Sequence, residues 1–310
     1  MKDFFTISSL VATAALVIRF AVPYVLASLG ETIGQRSGIF NLGVEGIMLM
    51  GAFTGYFTVL KTHNWWLGCL FAIAVGVLMG LAVAFVNVSQ WAEQGISGIG
   101  FYLFGLGMSD LLFEKSVGTP TPIKSFPRLD IPLLSKIPKI GEIFFQHNLV
   151  TYLAFAAIPV GTYVLNRTTF GLNIRAVGEN PEAADSLGVS VARTRYLAQV
   201  INGGCAGLAG AALTIELGIF QQNLTNGIGF IAVALVYFGA WRPTGVLGGA
   251  LLYGAVGSVV LKLKALNVIP KSWSDIAAMA PAVVTIVVLV FVARRARQPA
   301  ALGKPFLRDA

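Results

Sequence analysis

The chain has 310 residues, 56% of them hydrophobic and only 12% charged, with a mean hydropathy of +0.77. Soluble domains carry roughly 25% charged residues, so a soluble fold is excluded: its surface would need charge that this chain lacks. The net charge of +8 comes without a basic stripe interleaved with aromatics, which argues against nucleic acid and for loops facing cytoplasm or anionic lipid.

A bilayer core about 30 Å thick takes about 20 helical residues to cross. Apolar stretches fall at about 7–29, 39–60, 66–87, 99–113, 149–165, 196–217, 228–241, 243–261 and 276–293. They predict an all-α polytopic bundle of about eight to ten transmembrane helices, read as a single transmembrane domain over 1–310. Ala12-Thr13-Ala14 has the look of a signal-peptidase site, but too little apolar sequence precedes it, so the first stretch reads as an uncleaved span. The 14 residues of 228–241 cover only about 21 Å as a helix. That stretch is either a thin crossing or a segment that enters and turns back.

Glycines recur at small-residue spacing: Gly51 and Gly55, Gly76 and Gly80, Gly203, Gly207 and Gly210, Gly245 and Gly249. In lipid such spacing lets helix backbones approach closely, so these glycines mark bundle packing. Cys69 and Cys205 lie in apolar stretches and give neither a disulfide framework nor a metal spacing. His63 and His147 flank spans with no third ligand at useful spacing, so no metal or other cofactor is expected. Trp65, Trp66, Trp241 and Trp273 stand at span ends, where amphipathic rings favour the membrane interface.

Two polar segments interrupt the bundle. The first, about 114–148, is rich in proline; the second, about 166–195, carries Arg167, Arg175, Arg193 and Arg195. Arg294, Arg295 and Arg297 after the last stretch argue for a cytoplasmic C-terminus. Counting back from there puts 166–195 in the cytoplasm and 114–148 outside, against five positive charges in the latter. Nine crossings would leave the N-terminus outside; if one stretch only dips in, it lies inside.

Within the second segment, the local chemistry spells a short helix over 181–187. Asn180 suits the N-cap, Pro181 the first position, and Glu182 and Asp185 the positive end of the helix dipole. Gly188 is placed to end it in a left-handed turn. Ala183, Ala184 and Leu187 would give it a small apolar side. A helix this short does not survive alone in water; it is either a connector or an element inserted into a partner's groove.

Charge inside apolar sequence is costly, which singles out Arg19 and Glu45, the latter one helical turn from Asn41. Asn41 and Glu45 either line or brace a substrate path, or Glu45 caps free backbone groups or pairs with Arg19 or Arg36. Glu216, Gln221, Gln222, Asn223 and Asn226 would form an external rim, solvated or in contact with a binding protein. No phosphate-binding Gly-x-x-x-x-Gly-Lys-Ser/Thr loop occurs, so any nucleotide chemistry must come from a partner.

Four segments in order carry a family resemblance. Arg175-Ala-Val-Gly-Glu-Asn-Pro-Glu-Ala-Ala-Asp-Ser-Leu-Gly-Val resembles the coupling loop of ABC-importer permeases of the branched-chain amino acid, ribose and nucleoside family. Gly30-Glu-Thr-Ile-Gly-Gln-Arg-Ser-Gly-Ile-Phe-Asn-Leu-Gly-Val-Glu-Gly is similar to a second family element. Gly227-Ile-Gly-Phe-Ile-Ala-Val-Ala-Leu-Val-Tyr-Phe-Gly-Ala-Trp-Arg-Pro-Thr-Gly and Met279-Ala-Pro-Ala-Val-Val-Thr-Ile-Val-Val-Leu-Val complete the set. Gly34-Gln35 stands where Ser-Glu is usual, which removes a carboxylate beside Arg36.

The resemblance implies the shorter permease of a nucleoside or simple-sugar importer in a bacterial inner membrane. Such a chain is not itself an enzyme. It implies three partners: an ABC ATPase, a second and longer permease, and an extracytoplasmic substrate-binding protein. On this reading Gly178, Glu179, Asn180, Pro181, Ala183, Ala184, Asp185, Leu187 and Gly188 form the element that couples to the ATPase. The competing expectation is an ion-coupled secondary transporter, which calls for paired midplane charges and an inverted repeat. No repeat is clear in the sequence.

Overall fold

The computed structural model describes residues 6–132, 134–293 and 297–307; Arg294 and Arg295 lie outside them. Local capping sets the ends of the long helices. Helix α1 (Ile7–Arg36) begins at Thr6, whose hydroxyl accepts from the Ser9 N–H. Helices α2 (Val44–Thr62) and α3 (Trp65–Ala84) follow, the second capped by Asn64 and continued by a π-helical turn over Phe85–Ser89. Helix α4 (Gln94–Ser116) starts at Glu93, whose carboxylate accepts from the N–H groups of Gly95 and Ile96. A short helix α5 (Ile140–Phe144) lies between strands β1 (Leu129–Asp130) and β2 (Gln146–His147), which pair antiparallel.

Helix α6 (Leu149–Arg167) leads to two short helices, α7 (Thr169–Glu179) and α8 (Pro181–Ser186). Helix α9 (Val191–Leu217) runs from a Ser190 cap to Gly218, whose φ of +71° makes the left-handed stop that glycine permits at no steric cost. The chain closes with α10 (Ile228–Phe238), α11 (Pro243–Ala265), α12 (Ser274–Ala278) and α13 (Ala280–Ala293).

Among the described residues, six helices, α1, α3, α4, α6, α9 and α11, are long and apolar enough to cross a membrane. The polytopic helical bundle is as expected, but fewer stretches form full-length spans than the eight to ten predicted. The difference lies in α2, in the 11-residue α10, and in the last stretch, which breaks at Met279 between α12 and α13.

Helix α9 is the axis of the packing. Along α1, Gly30 meets Asn202 and Cys205, Gly34 meets Gln199, and Gly38 meets Arg195, so the two helices run antiparallel. Along α2, Gly51 meets Gly207 and Gly55 meets Ala211, so α2 runs parallel to α9. A single carbon added at Gly51 or Gly76 would strike the backbone of Gly207 or Gly203. The small-residue spacing read from the sequence is therefore packing, and it holds the backbones closer than side chains would allow.

The neighbours of α1 and α9 mirror each other. Helix α9 packs on α1, α2 and α3, while α1 packs on α9, α10 and α11. Since α1 and α9 are antiparallel, the first three helices and α9–α11 form an inverted pair. The repeat that is not clear in the sequence shows in the topology.

The two polar segments sit at opposite ends of this axis. The Ile123 N–H donates to the Gly218 carbonyl (2.8 Å) at the C-terminal end of α9, and α8 packs beside Val191 at its N-terminal end. The 27 residues of α9 separate these ends by about 40 Å.

Candidate functional site

The α8 end is built as a capped step. The Asn180 side chain accepts from the Ala183 N–H at 3.0 Å, Pro181 occupies the first helical position, and Gly188 turns the chain at a φ of +85°. Helix α7, which the sequence reading did not separate from the loop, precedes α8. It is capped by the Thr168 hydroxyl, which accepts from the Gly171 N–H at 3.1 Å. Gly178 in α7 lies so close to the Arg36 carbonyl that a Cβ there would collide with it. That approach seats the α7–α8 corner on the C-terminal end of α1.

One expectation about α8 is corrected. Ala183, Ala184 and Leu187 do not share an outward side. Ala184 turns inward and packs in a cluster with Val177 and Val191, while Ala183 faces out. Leu187 is 86% exposed. Glu179 and Glu182 are exposed beside it, with Pro181 and Asp185 partly so. Helix α8 and its cap thus offer solvent one large apolar side chain, Leu187, with the small Ala183 and the carboxylates of Glu179 and Glu182 also exposed.

A second constellation lies inside the bundle. Gly51 is level with Gly207, so Glu45, about one and a half turns earlier on α2, stands near the middle of α9. Its carboxylate is 1% exposed and receives three donors. Oε1 accepts from the Thr225 hydroxyl (2.6 Å) and the Gly227 N–H (2.7 Å), and Oε2 from the Gly229 N–H (2.5 Å). These are groups at the start of α10, whose first N–H groups have no intrahelical acceptor. Glu45 is the anion that caps this helix inside the bundle, where the dipole favours negative charge. Neither Arg19 nor Arg36 is its partner: Arg19 lines a cavity near Glu216, and the Arg36 Nε donates to the Trp241 carbonyl at 2.9 Å.

That cap also decides the nature of 228–241. Helix α10 begins at Glu45 and reaches the C-terminal end of α1, where Trp241 Nε1 donates to Gln35 Oε1 at 2.7 Å. Its 11 residues cover about 16 Å, and the non-helical 218–227 makes up the rest of the crossing. It is a broken crossing and does not turn back. Trp241 is therefore no interface anchor; it is 2% exposed and locked between Gln35 and Arg36. Trp66 and Trp273, by contrast, are exposed.

Asn41 belongs to a neighbouring network centred on Glu31, which the sequence reading passed over. Glu31 Oε1 accepts from Gln35 Nε2 (2.9 Å) and the Asn41 N–H (3.1 Å), and Oε2 from Asn202 Nδ2 (2.6 Å). The Asn41 Oδ1 in turn accepts from the Gly43 N–H at 2.9 Å. Gln35, the residue that departs from the usual glutamate, works in both directions here. Its amide donates to Glu31 while its carbonyl oxygen accepts from Trp241, a pairing that a carboxylate could not make without a proton.

At the opposite end, Asn148 Nδ2 donates to Glu216 Oε2 at 2.6 Å, and Gln221, Gln222 and Asn223 are exposed; Asn226 is exposed too, but it lies between Thr225 and Gly227 at the Glu45 cap and so stands apart from the expected rim. An apolar cavity of about 340 Å³ opens below Arg19, Asn148 and Glu216.

A family of branched-chain amino acid transport system permease components matches residues 13–293. The chain belongs to that family. It is a transport component, a multi-pass membrane protein and not an enzyme, and the reading as a secondary transporter falls away. It is 36% identical to the guanosine ABC transporter permease protein NupQ of Bacillus subtilis, over 99% of each chain. Identity to the nucleoside ABC transporter permease protein NupC of Lactococcus lactis is 33%, over 98% of this chain and 99% of that one. TsgC13 of Haloferax volcanii, an ABC transporter permease protein provisionally named for glucose, is 41% identical over 81% of this chain and 77% of its own. No solved structure matches the chain.

Proposed function

We propose that this importer permease carries nucleosides, and that the α7–α8 corner is its cytoplasmic ATPase-coupling element. The end-to-end likeness to two permeases named for guanosine and nucleosides carries the substrate reading. The likeness to the glucose-named protein is higher in identity but shorter in reach, so simple sugars are the alternative the test must separate.

On this reading 1–310 is one permease domain, 166–195 is cytoplasmic and 114–148 external, and a second, longer permease completes the path. An extracytoplasmic binding protein delivers substrate to the end that carries Gln221, Gln222 and Asn223. Residues Gly178, Glu179, Asn180, Pro181, Ala183, Asp185, Leu187 and Gly188 form or cap the docking step, and Ala184 anchors it from within. Asn41 and Glu45 brace the path rather than line it, because their polar atoms are already bonded and buried. ATP-driven closure of the partner moves α8, and the bundle switches only if each nucleotide state favours a different conformer through its own contacts.

The test is uptake by the reconstituted importer, with both permeases, ATPase and binding protein present. ATP-dependent entry of labelled guanosine, competed by other nucleosides and not by glucose, is expected. Glucose uptake that ignores nucleosides would replace the substrate class.

A further inference from the structure

Residues 297–307 follow the last helix, and the coupling reading gives them no task. They are nevertheless bonded into the α7–α8 end. The Ala301 N–H donates to the Gly178 carbonyl at 2.9 Å, and the Gly303 N–H to the Gly38 carbonyl at 3.1 Å. Arg195, 1% exposed, donates from Nη1 to the Lys304 carbonyl (3.2 Å) and from Nε to the Ser37 carbonyl (3.3 Å). Phe306 packs on the cluster of Val177, Ala184 and Val191. One short run of chain therefore joins α7, α8, the turn after α1 and the first turns of α9.

Helix α8 has six residues, too few to hold its shape by propagation alone. Its buried residue is one alanine, and Phe306 packs on the cluster that this alanine forms with Val177 and Val191. Arg195 is a buried guanidinium whose bonds go to backbone carbonyls, an expensive arrangement. Its rigid fork is suited to hold two such carbonyls at once, here one from the turn after α1 and one from the terminal segment.

We infer that Ala301–Phe306 is a strut that seats the coupling helix and completes the ATPase-facing surface. Phe306 is the positioning residue, and Leu187, Lys304 and Leu307 are the exposed side chains offered to the ATPase. The inference rests on α8 being the coupling element. A push on α8 passes through Phe306 to Gly303, bonded to Gly38, and to Lys304, joined through Arg195 to Ser37. From there it reaches the turn that carries Asn41 and leads to Glu45.

The experiment uses the full reconstituted importer with Phe306→Ala, Phe306→Leu, Ala301→Pro and Leu187→Asp, the proline removing the N–H that bonds Gly178. ATPase binding, hydrolysis rate, uptake per ATP and melting temperature are measured for each. Phe306→Ala and Ala301→Pro are expected to keep the ATPase bound and to lower uptake per ATP about tenfold, within the usual range of coupling effects. Phe306→Leu should restore most of that ratio, and Leu187→Asp should weaken ATPase binding itself. Wild-type uptake per ATP in both strut variants, with Leu187→Asp defective, would overturn the strut and leave docking intact. Parallel loss of melting temperature and ATPase binding in both would also overturn it, as a fold requirement only. Wild-type behaviour of Leu187→Asp would instead remove the docking reading on which the strut depends.

Discussion

At the scale of single residues, buried carboxylates are tolerable only where donors surround them. Glu45 takes three donors at the start of α10. Glu45→Ala leaves them buried without an acceptor, at about 1–3 kcal/mol for each such group. It is expected to lower the melting temperature in detergent sharply, and Glu45→Gln, which keeps one oxygen, to lower it less. An unchanged melting temperature for Glu45→Ala would remove the capping assignment. His147 gives a pH signature at the other end. Its Nε2 lies 2.7 Å from the Ile143 carbonyl and donates to it. Burial, above all, holds its pKa below the usual histidine value; the Ile143 bond and Glu216 oppose this, while Arg19 and Arg128 reinforce it. The unfolded chain therefore binds the proton more readily, and stability is full above the ordinary pKa of about 6.5 and falls as pH drops below it. Wild type should lose more melting temperature between pH 7 and pH 5 than His147→Gln, whose amide can donate to the same carbonyl. Equal slopes would contradict this.

At the scale of elements, close backbone contact decides which glycines matter. Gly207→Val should cost about 1–3 kcal/mol through overpacking, because a side chain there meets the backbone of Ala72 and Gly76. Gly100→Val on α4, where nothing lies within 4 Å, should be near neutral in the same melting assay. Comparable losses at both would show that α9 is not the packing axis. Local signals were readable in the sequence: Asn180, Pro181 and Gly188 act at α8 as their chemistry dictates. The helical stretches, the small-residue packing and the caps follow from short-range rules. What was not readable depends on distant partners. Ala183 and Ala184 are adjacent and chemically alike, and the one that turns inward joins the cluster of Val177, Val191 and Phe306. Glu31 lay just past the first apolar stretch, so its position looked like a span end, and its Asn202 partner is 171 residues away. The short length of 228–241 did signal an irregular crossing, but choosing between the two forms needed Glu45 and Gln35 in place.

At the scale of the molecule, the ends of the bundle expose different chemistry. One end carries polar exposed side chains and the apolar cavity; the other carries α8, residues 301–306 bonded and packed beside it, and Leu187, the most exposed large hydrophobic residue described. Between them, α2 and α10 begin in the interior and meet at one carboxylate, so displacement at the α8 end has a continuous route to the broken crossing. The central claim is that the α8 end meets the ATPase. Cys69 is buried and Cys205 half-buried, so a cysteine-free background with Leu187→Cys or Ile137→Cys places one reactive thiol at either end. The direct measurement is cross-linking of each variant to the ATPase subunit in membranes, with and without ATP. The account predicts a cross-link from position 187 whose yield changes with ATP, and none from position 137. A cross-link from 137 with none from 187 would contradict it.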